Sequence, residues 1–254
     1  MGTSVIKVAS AKVIGRSHVS TDTPCQDAVA TIRNHNAVCV ALADGAGSKK
    51  HSEIGAKIAT KQAAKAVLDN FDEIFLLANE DATLDSSNAA NIVLDPILVA
   101  LRRRSKSKRE SLDSFASTLL FVAHKDGRYV AGHLGDGVIG IKHGAEIKTL
   151  SKPENGEFAN STYFVTDESA KKNFRIYAGI ADSDFGAILM SDGTAETLYE
   201  KSTGLLALAA QRLFEWSEQL SSKRMEEVLF GNLQQVISKK TTDDCSIAMI
   251  TVKD

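Results

Sequence analysis

Between residues 117 and 150 four short runs rich in apolar and β-branched residues, 117–124, 129–134, 138–143 and 145–150, follow one another with no more than four residues between consecutive runs. A parallel crossover needs a dozen residues or more, so links this short make antiparallel hairpins of consecutive strands. Lys125-Asp126-Gly127, Gly135-Asp136-Gly137 and His143-Gly144 supply the turn chemistry. The same pattern opens the chain. Residues 4–14 read as a strand closed by Gly15, and 27–32 and 37–43 form a hairpin around Arg33-Asn34-His35-Asn36. Later runs at 162–166, 174–179, 187–190 and 245–252 are read as further strands, the first of them after an irregular stretch over 151–160.

Helical periodicity appears in separate blocks. Residues 52–71 place Ile54, Ile58, Ala59, Ala63, Ala66 and Val67 on one face, with Ser52 as the expected N-cap, and further helices are expected over 88–104, 204–219 and 225–239. Strands and helices grouped in this way predict an α+β fold, with mostly antiparallel sheets and helices on their outer faces.

Composition narrows the partners. Lys and Arg number 30 against 32 Asp and Glu, a net charge of −2, which excludes a polycationic nucleic-acid coat or an acidic tail as the main theme. With 43% hydrophobic residues and 3 Pro in 254, little of the chain can be linker; composition allows one large domain or two tightly joined ones, and residues 1–254 are taken as a single domain. No apolar run approaches the ~20 residues of a membrane-spanning helix, and residues 1–15 lack a signal peptide's apolar core, so a cytoplasmic protein is expected. Cys25, Cys39 and Cys245 are widely spaced, which fits a reducing compartment. Cys39 reads as buried filler; Cys25, beside Gln26-Asp27, is a weaker nucleophile reading.

The chemistry gathers at strand ends. Asp44 (Ala43-Asp44-Gly45-Ala46-Gly47), Asp136 (Gly135-Asp136-Gly137), Asp192 (Ser191-Asp192-Gly193) and Asp243 (Asp243-Asp244-Cys245) each stand at the end or start of an apolar run, and Asp27 opens another. Carboxylates on rigid strand ends, with Gly beside them for close approach, suit hard cations. Two such cations about 3.5–4 Å apart activate water and stabilise a transferring phosphoryl group, so a phosphoesterase is expected.

In order and wording, Gln26-Asp27-Ala28, Asp44-Gly45-Ala46-Gly47, Ser117-Thr118, Gly135-Asp136-Gly137, Ser191-Asp192-Gly193 and Asp243-Asp244-Cys245-Ser246 resemble the metal-dependent protein phosphatases of the type 2C family, and the stretch 156–162 resembles a small bacterial branch. The resemblance implies a four-layer α-β-β-α sandwich with a dinuclear Mn²⁺ or Mg²⁺ centre at one end. It implies hydrolysis of phosphoserine and phosphothreonine in proteins by a metal-bridged hydroxide. Carried over by position, Asp44 would bridge both cations, the Gly45 carbonyl would bind one, and Asp192 and Asp243 the other. Asp27 would hold the site from its strand, and Asp136 would match a third, weaker cation site. Asp244 stands where the family often has Asn, so its change to Asn is expected to be mild.

Three positions depart from the pattern. Gln26 replaces a frequent acidic residue, Ala46 stands where eukaryotic members carry a His, and Asp22 occupies the spacing of the phosphate-binding Arg. Arg16 and His18 are rival substitutes, the first as a bidentate phosphate clamp, the second as a proton donor. The basic run 102–109 has no interleaved aromatics and reads as a solvated helix end rather than a nucleic-acid surface, of a charge suited to steering acidic proteins. The expected partner is a phosphorylated protein, a serine/threonine kinase or one of its targets, with neither nucleic acid nor membrane. The alternatives are a pseudophosphatase that binds a phosphorylated partner without catalysis and another two-metal phosphoesterase such as a nuclease.

Overall fold

The computed structural model describes residues 5–79, 86–154, 162–181 and 184–253. One sheet is built from β2 (Ala28–Asn34), β3 (Ala37–Ala43), β4 (Leu119–Lys125), β5 (Arg128–Leu134) and β8 (Arg175–Ile180), in that order across the sheet. The other runs β1 (Val5–Val13), β12 (Cys245–Lys253), β9 (Asp184–Met190), β6 (Val138–His143) and β7 (Glu146–Ser151). All the pairings within the two sheets are antiparallel. A short hairpin of β10 (Tyr199–Glu200) and β11 (Leu205–Leu206) stands apart.

The two sheets face each other, and alternation along the strands shows how. On β3, Val38, Val40 and Leu42 join the core between the sheets, while Ala37, Cys39 and Ala41 point to the helices on the outer face. Buried on both faces, β3 has to be apolar throughout, which explains its uninterrupted sequence. Cys39 is fully buried there, as expected. Outside the first sheet lie α2 (Ser52–Asp69), α3 (Phe71–Asn79) and α4 (Ser86–Lys108); outside the second lie α6 (Asp192–Leu198), α7 (Leu208–Gln219) and α8 (Ser222–Gln235). Two short helices, α1 (Arg16–Ser20) and α5 (Ala170–Asn173), sit in the connections. The result is the four-layer α-β-β-α sandwich. Among the described residues no helix is long and apolar enough to cross a membrane.

The structure corrects several expectations. Gly135-Asp136-Gly137 does not close a hairpin: β5 and β6 belong to different sheets, so this three-residue link carries the chain across the sandwich. Gly135 takes φ 115°, and a Cβ on it would lie 2.6 Å from Thr118 Cγ2, so only glycine fits this corner. No strand forms over 162–166. Only an isolated bridge remains at Thr162, while the Asp167 carboxylate accepts from the Phe164 N–H at 2.7 Å and closes a turn. Helix α2 starts after His51 rather than Ser52, and Asn70 ends it by donating its amide to the Ala66 carbonyl at 2.8 Å, so Phe71 opens a separate helix. The helix expected from 204 begins at Leu208, because Gly204 has φ 74° and belongs to the β10–β11 turn.

Candidate active site

Every acidic motif lies at the same end of the sandwich because the strand registers put it there. In the first sheet Ala28 pairs with Ala43, Leu42 with Leu120 and Leu119 with Leu134, so Asp27, Asp44, Thr118 and Asp136 all emerge at one edge. In the second sheet Met190 pairs with both Val138 and Ile247, which brings Asp192 and Asp243 to the same edge. A cavity of about 160 Å³ opens between the sheets there, lined by Asp44, Asp136, Asp192 and Asp243 together with Gln26, Gly45, Ala46, Gly47, Thr118, Thr162 and Phe164. Of the residues expected to bind cations, only Asp27 is absent from this lining. It is 1% exposed and lies behind the cavity wall.

Supports for these carboxylates come from backbone and hydroxyl groups. Thr118 clamps the Asp44 peptide: its Oγ1 accepts from the Asp44 N–H at 2.9 Å, and its own N–H donates to the Asp44 carbonyl at 2.8 Å. The Gly193 N–H donates to Asp192 Oδ1 at 2.6 Å, and the Asp244 N–H to Asp243 Oδ1 at 2.9 Å. Gly193 packs so closely on the next loop that a Cβ would lie 2.3 Å from the Asp244 carbonyl oxygen. Neither oxygen of Asp27 meets hydrogen-bond geometry, nor does Gln26 Oε1.

Burial is the main force on the charges. It pushes the Asp27 carboxyl up to about 7, with the nearby Asp244 and Asp192 adding to the rise and the Ser246 hydroxyl opposing it. Asp192 is pushed up to about 6 by burial and by the charges of Asp136 and Asp243. Asp44 rises well above the carboxylate range through burial and through the charges of Asp27, Asp192 and Asp243. Asp136 also rises through burial. A cation among these groups would relieve the repulsion that raises them.

The donor set fits hard divalent cations: carboxylate and carbonyl oxygens, with no His or Cys among the described residues of the cavity lining and with buried oxygens left unpartnered. Among the described residues no three acidic, His or Cys side chains form a completed cation cage. Asp44, Gly45, Asp192 and Asp243 are the groups that would hold two cations, with Asp27 behind them and Asp136 at the side.

Arg16 and His18 lie elsewhere. The Arg16 guanidinium donates to the Thr241 and Lys239 carbonyls at 3.0 and 3.3 Å, fastening α1 to the loop before Asp243. His18 Nδ1 stands 3.0 Å from Asp244 Oδ2, at ion-pair distance but outside hydrogen-bond geometry. Asp244 is a buried fastener: its two oxygens accept from the Gly15 and Gln26 N–H groups at 2.6 Å each. Nothing in its sequence context marks this role, because both donors are more than 200 residues away. The Cys25 thiol is pushed up to about 12 by burial and by Asp244, so it stays protonated and is a poor nucleophile. Most of the 156–162 stretch lies outside the described residues.

Comparison with known proteins agrees with this arrangement. The profile of the family described as protein phosphatase 2C matches residues 14–234. Serine/threonine-protein phosphatase 3 of Escherichia coli (strain K12) is 31% identical over 172 residues, covering 65% of this chain and 64% of that protein, slightly under two thirds of its length. Serine/threonine phosphatase Stp1 from Staphylococcus aureus shares the fold with a TM-score of 0.66 at 14% identity, over 98% of this chain and 96% of that one. The catalytic domain of the serine threonine protein phosphatase PstP, in complex with 2 manganese ions, has a TM-score of 0.58 at 14% identity, over 99% of this chain and 100% of that one. With its ordered acidic motifs at one end of an α-β-β-α sandwich, the chain belongs to the protein phosphatase 2C family.

Proposed function

We propose that this protein is a metal-dependent phosphatase that hydrolyses phosphoserine and phosphothreonine in proteins, a serine/threonine kinase or its targets among them, and that it works as one domain in the cytoplasm. The observation that carries the reading is the delivery of four carboxylates from both sheets into one cavity, with a fifth behind it. The free thiols of Cys25, Cys39 and Cys245 suit a reducing compartment.

Bound among these carboxylates, two divalent cations supply Lewis-acid activation of water and charge compensation for the phosphoryl oxygens. The chain's own part is positioning. Asp44, held by Thr118, and Asp192, held by the Gly193 N–H, fix the acidic floor, while Phe164 and Thr162 wall the cavity and limit its water. The overall reaction takes one water and releases the alcohol side chain and inorganic phosphate. Among the described residues no Arg or Lys lines the cavity, so phosphate capture falls to the cations and the backbone around Gly45–Gly47.

The test is hydrolysis of a phosphothreonine peptide with Mn²⁺ or Mg²⁺, with and without chelator, beside nitrophenyl phosphate and single-stranded DNA. Peptide turnover that chelation abolishes supports the reading. Peptide binding without turnover would turn it towards a pseudophosphatase, and DNA cleavage towards a nuclease.

A further inference from the structure

A second hollow, of about 330 Å³, shares Asp136 and Asp192 with the reaction cavity and extends from it along the β10–β11 hairpin. Its cationic groups are Lys152, just after β7, and Lys201, in the hairpin turn; Tyr199 and Glu196 complete the part that matters here. Both lysines are exposed, and neither forms an ion pair among the described residues. The hollow is held in shape. Thr149 Oγ1 donates to the Gly204 carbonyl at 2.9 Å, tying β7 to the hairpin. Gly204, at φ 74°, lets the Lys152 ammonium lie so close that a Cβ there would stand 2.6 Å from Nζ.

Beyond Asp136 and Asp192, whose charge the cations would offset, the hollow carries two ammonium groups against the single carboxylate of Glu196. An anionic side chain is the ligand that this balance favours. Because the hollow meets the reaction cavity along a common wall, a residue near the phosphorylated one in the same peptide can reach it.

Resting on the phosphatase reading above, the geometry points to a specificity subsite in which Lys152 and Lys201 receive an acidic residue flanking the phosphoserine or phosphothreonine. The enzyme then prefers phosphorylated segments rich in Asp and Glu, or carrying a second phosphate. The lysines do not hold the transferring phosphoryl group itself, which belongs among the carboxylates of the neighbouring cavity.

The experiment measures fluorescence anisotropy of labelled peptides that carry a non-hydrolysable phosphonate analogue of phosphoserine, flanked by Glu, by phosphoserine or by Ala, on the full chain with Mn²⁺. Nitrophenyl phosphate turnover is followed in parallel. The Glu-flanked peptide should bind the wild type about fivefold more tightly than the Ala-flanked one, the scale of two solvent-accessible ion pairs. In Lys152→Ala/Lys201→Ala that advantage should fall below about twofold, with the KM for nitrophenyl phosphate unchanged. Phosphoserine flanks that gain more than Glu would identify a doubly phosphorylated substrate, within the same proposal. Equal affinities in the wild type would overturn it, as would an advantage that survives the double substitution. So would a KM for nitrophenyl phosphate that rises in the double variant, since the lysines would then grip the phosphoryl group. A wild type that turns over no nitrophenyl phosphate counts against the phosphatase reading, while the binding comparison still decides the subsite.

Discussion

Asp243 and Asp244 are neighbours with opposite duties. Asp243 faces the cavity, whereas both oxygens of Asp244 are occupied by N–H donors from the start of the chain. Asn at 244 keeps one acceptor and turns an amide N–H₂ towards a buried N–H, which costs about 2–3 kcal/mol. The melting temperature of Asp244→Asn should therefore drop by roughly 5–10 °C, more than the family pattern suggests. Asp243→Asn should keep its melting temperature and lose Mn²⁺ affinity in calorimetric titration; the reverse assignment would reject this register. His124 gives a pH-dependent case. It is buried against Phe185 with neither ring nitrogen bonded, and burial lowers its pKa below the ordinary imidazole value of about 6.5. The unfolded chain binds the proton more readily, so the stability that depends on a neutral His124 is present above about pH 6.5 and lost as the pH falls through the folded value. His124→Leu should gain on the wild type as the pH falls from about 7.5 to 5.5; a constant difference in melting temperature across that range would show that His124 does not titrate on unfolding.

At the scale of elements, strand identity was legible because alternation and short links depend on local sequence, and β3, β4, β5, β6 and β7 follow that reading closely. Helix α6 was not legible. Ser191-Asp192-Gly193 reads as a turn, yet Ser191 is extended and Asp192 begins a helix whose first turn packs on the Asp243–Asp244 loop. That packing sets an opposition between propensity and sterics at Gly193. Alanine would gain at most about 1 kcal/mol of helix propensity, but its Cβ meets main chain rather than a flexible side chain, and displacing it costs about 1–3 kcal/mol. Gly193→Ala should thus be less stable in thermal denaturation and bind Mn²⁺ more weakly, since Asp192 moves with the helix. A variant as stable as the wild type with unchanged affinity would show that the loop yields freely.

On the scale of the whole molecule, the acidic end joins two sheets that elsewhere meet mainly through apolar side chains, with a buried polar contact between His133 Nδ1 and Ser151 Oγ at 2.7 Å. Asp27, Asp44 and Asp136 come from one sheet's strand ends and Asp192 and Asp243 from the other's, so cations bound among them would staple the sandwich. Mn²⁺ should raise the melting temperature in a concentration-dependent way, by about 2.7 kcal/mol of stability at a hundred times Kd. Without metal, Asp44→Asn should be more stable than the wild type, because it removes one of several repelling buried carboxylates, and it should gain little on adding Mn²⁺ while losing turnover by several orders of magnitude. An apo variant less stable than the wild type would show that Asp44 contributes more through its own contacts than it costs through repulsion. The acidic motifs, their order and the antiparallel character of the strands were determined by the sequence itself, because each rests on residues close together along the chain. Only the tertiary structure decided that 135–137 crosses between sheets, that Asp244 is a fastener, and that Arg16 and His18 lie away from the cavity. Each of these depends on groups brought together by sheet register across long separations, and the local sequence carries no record of such distances.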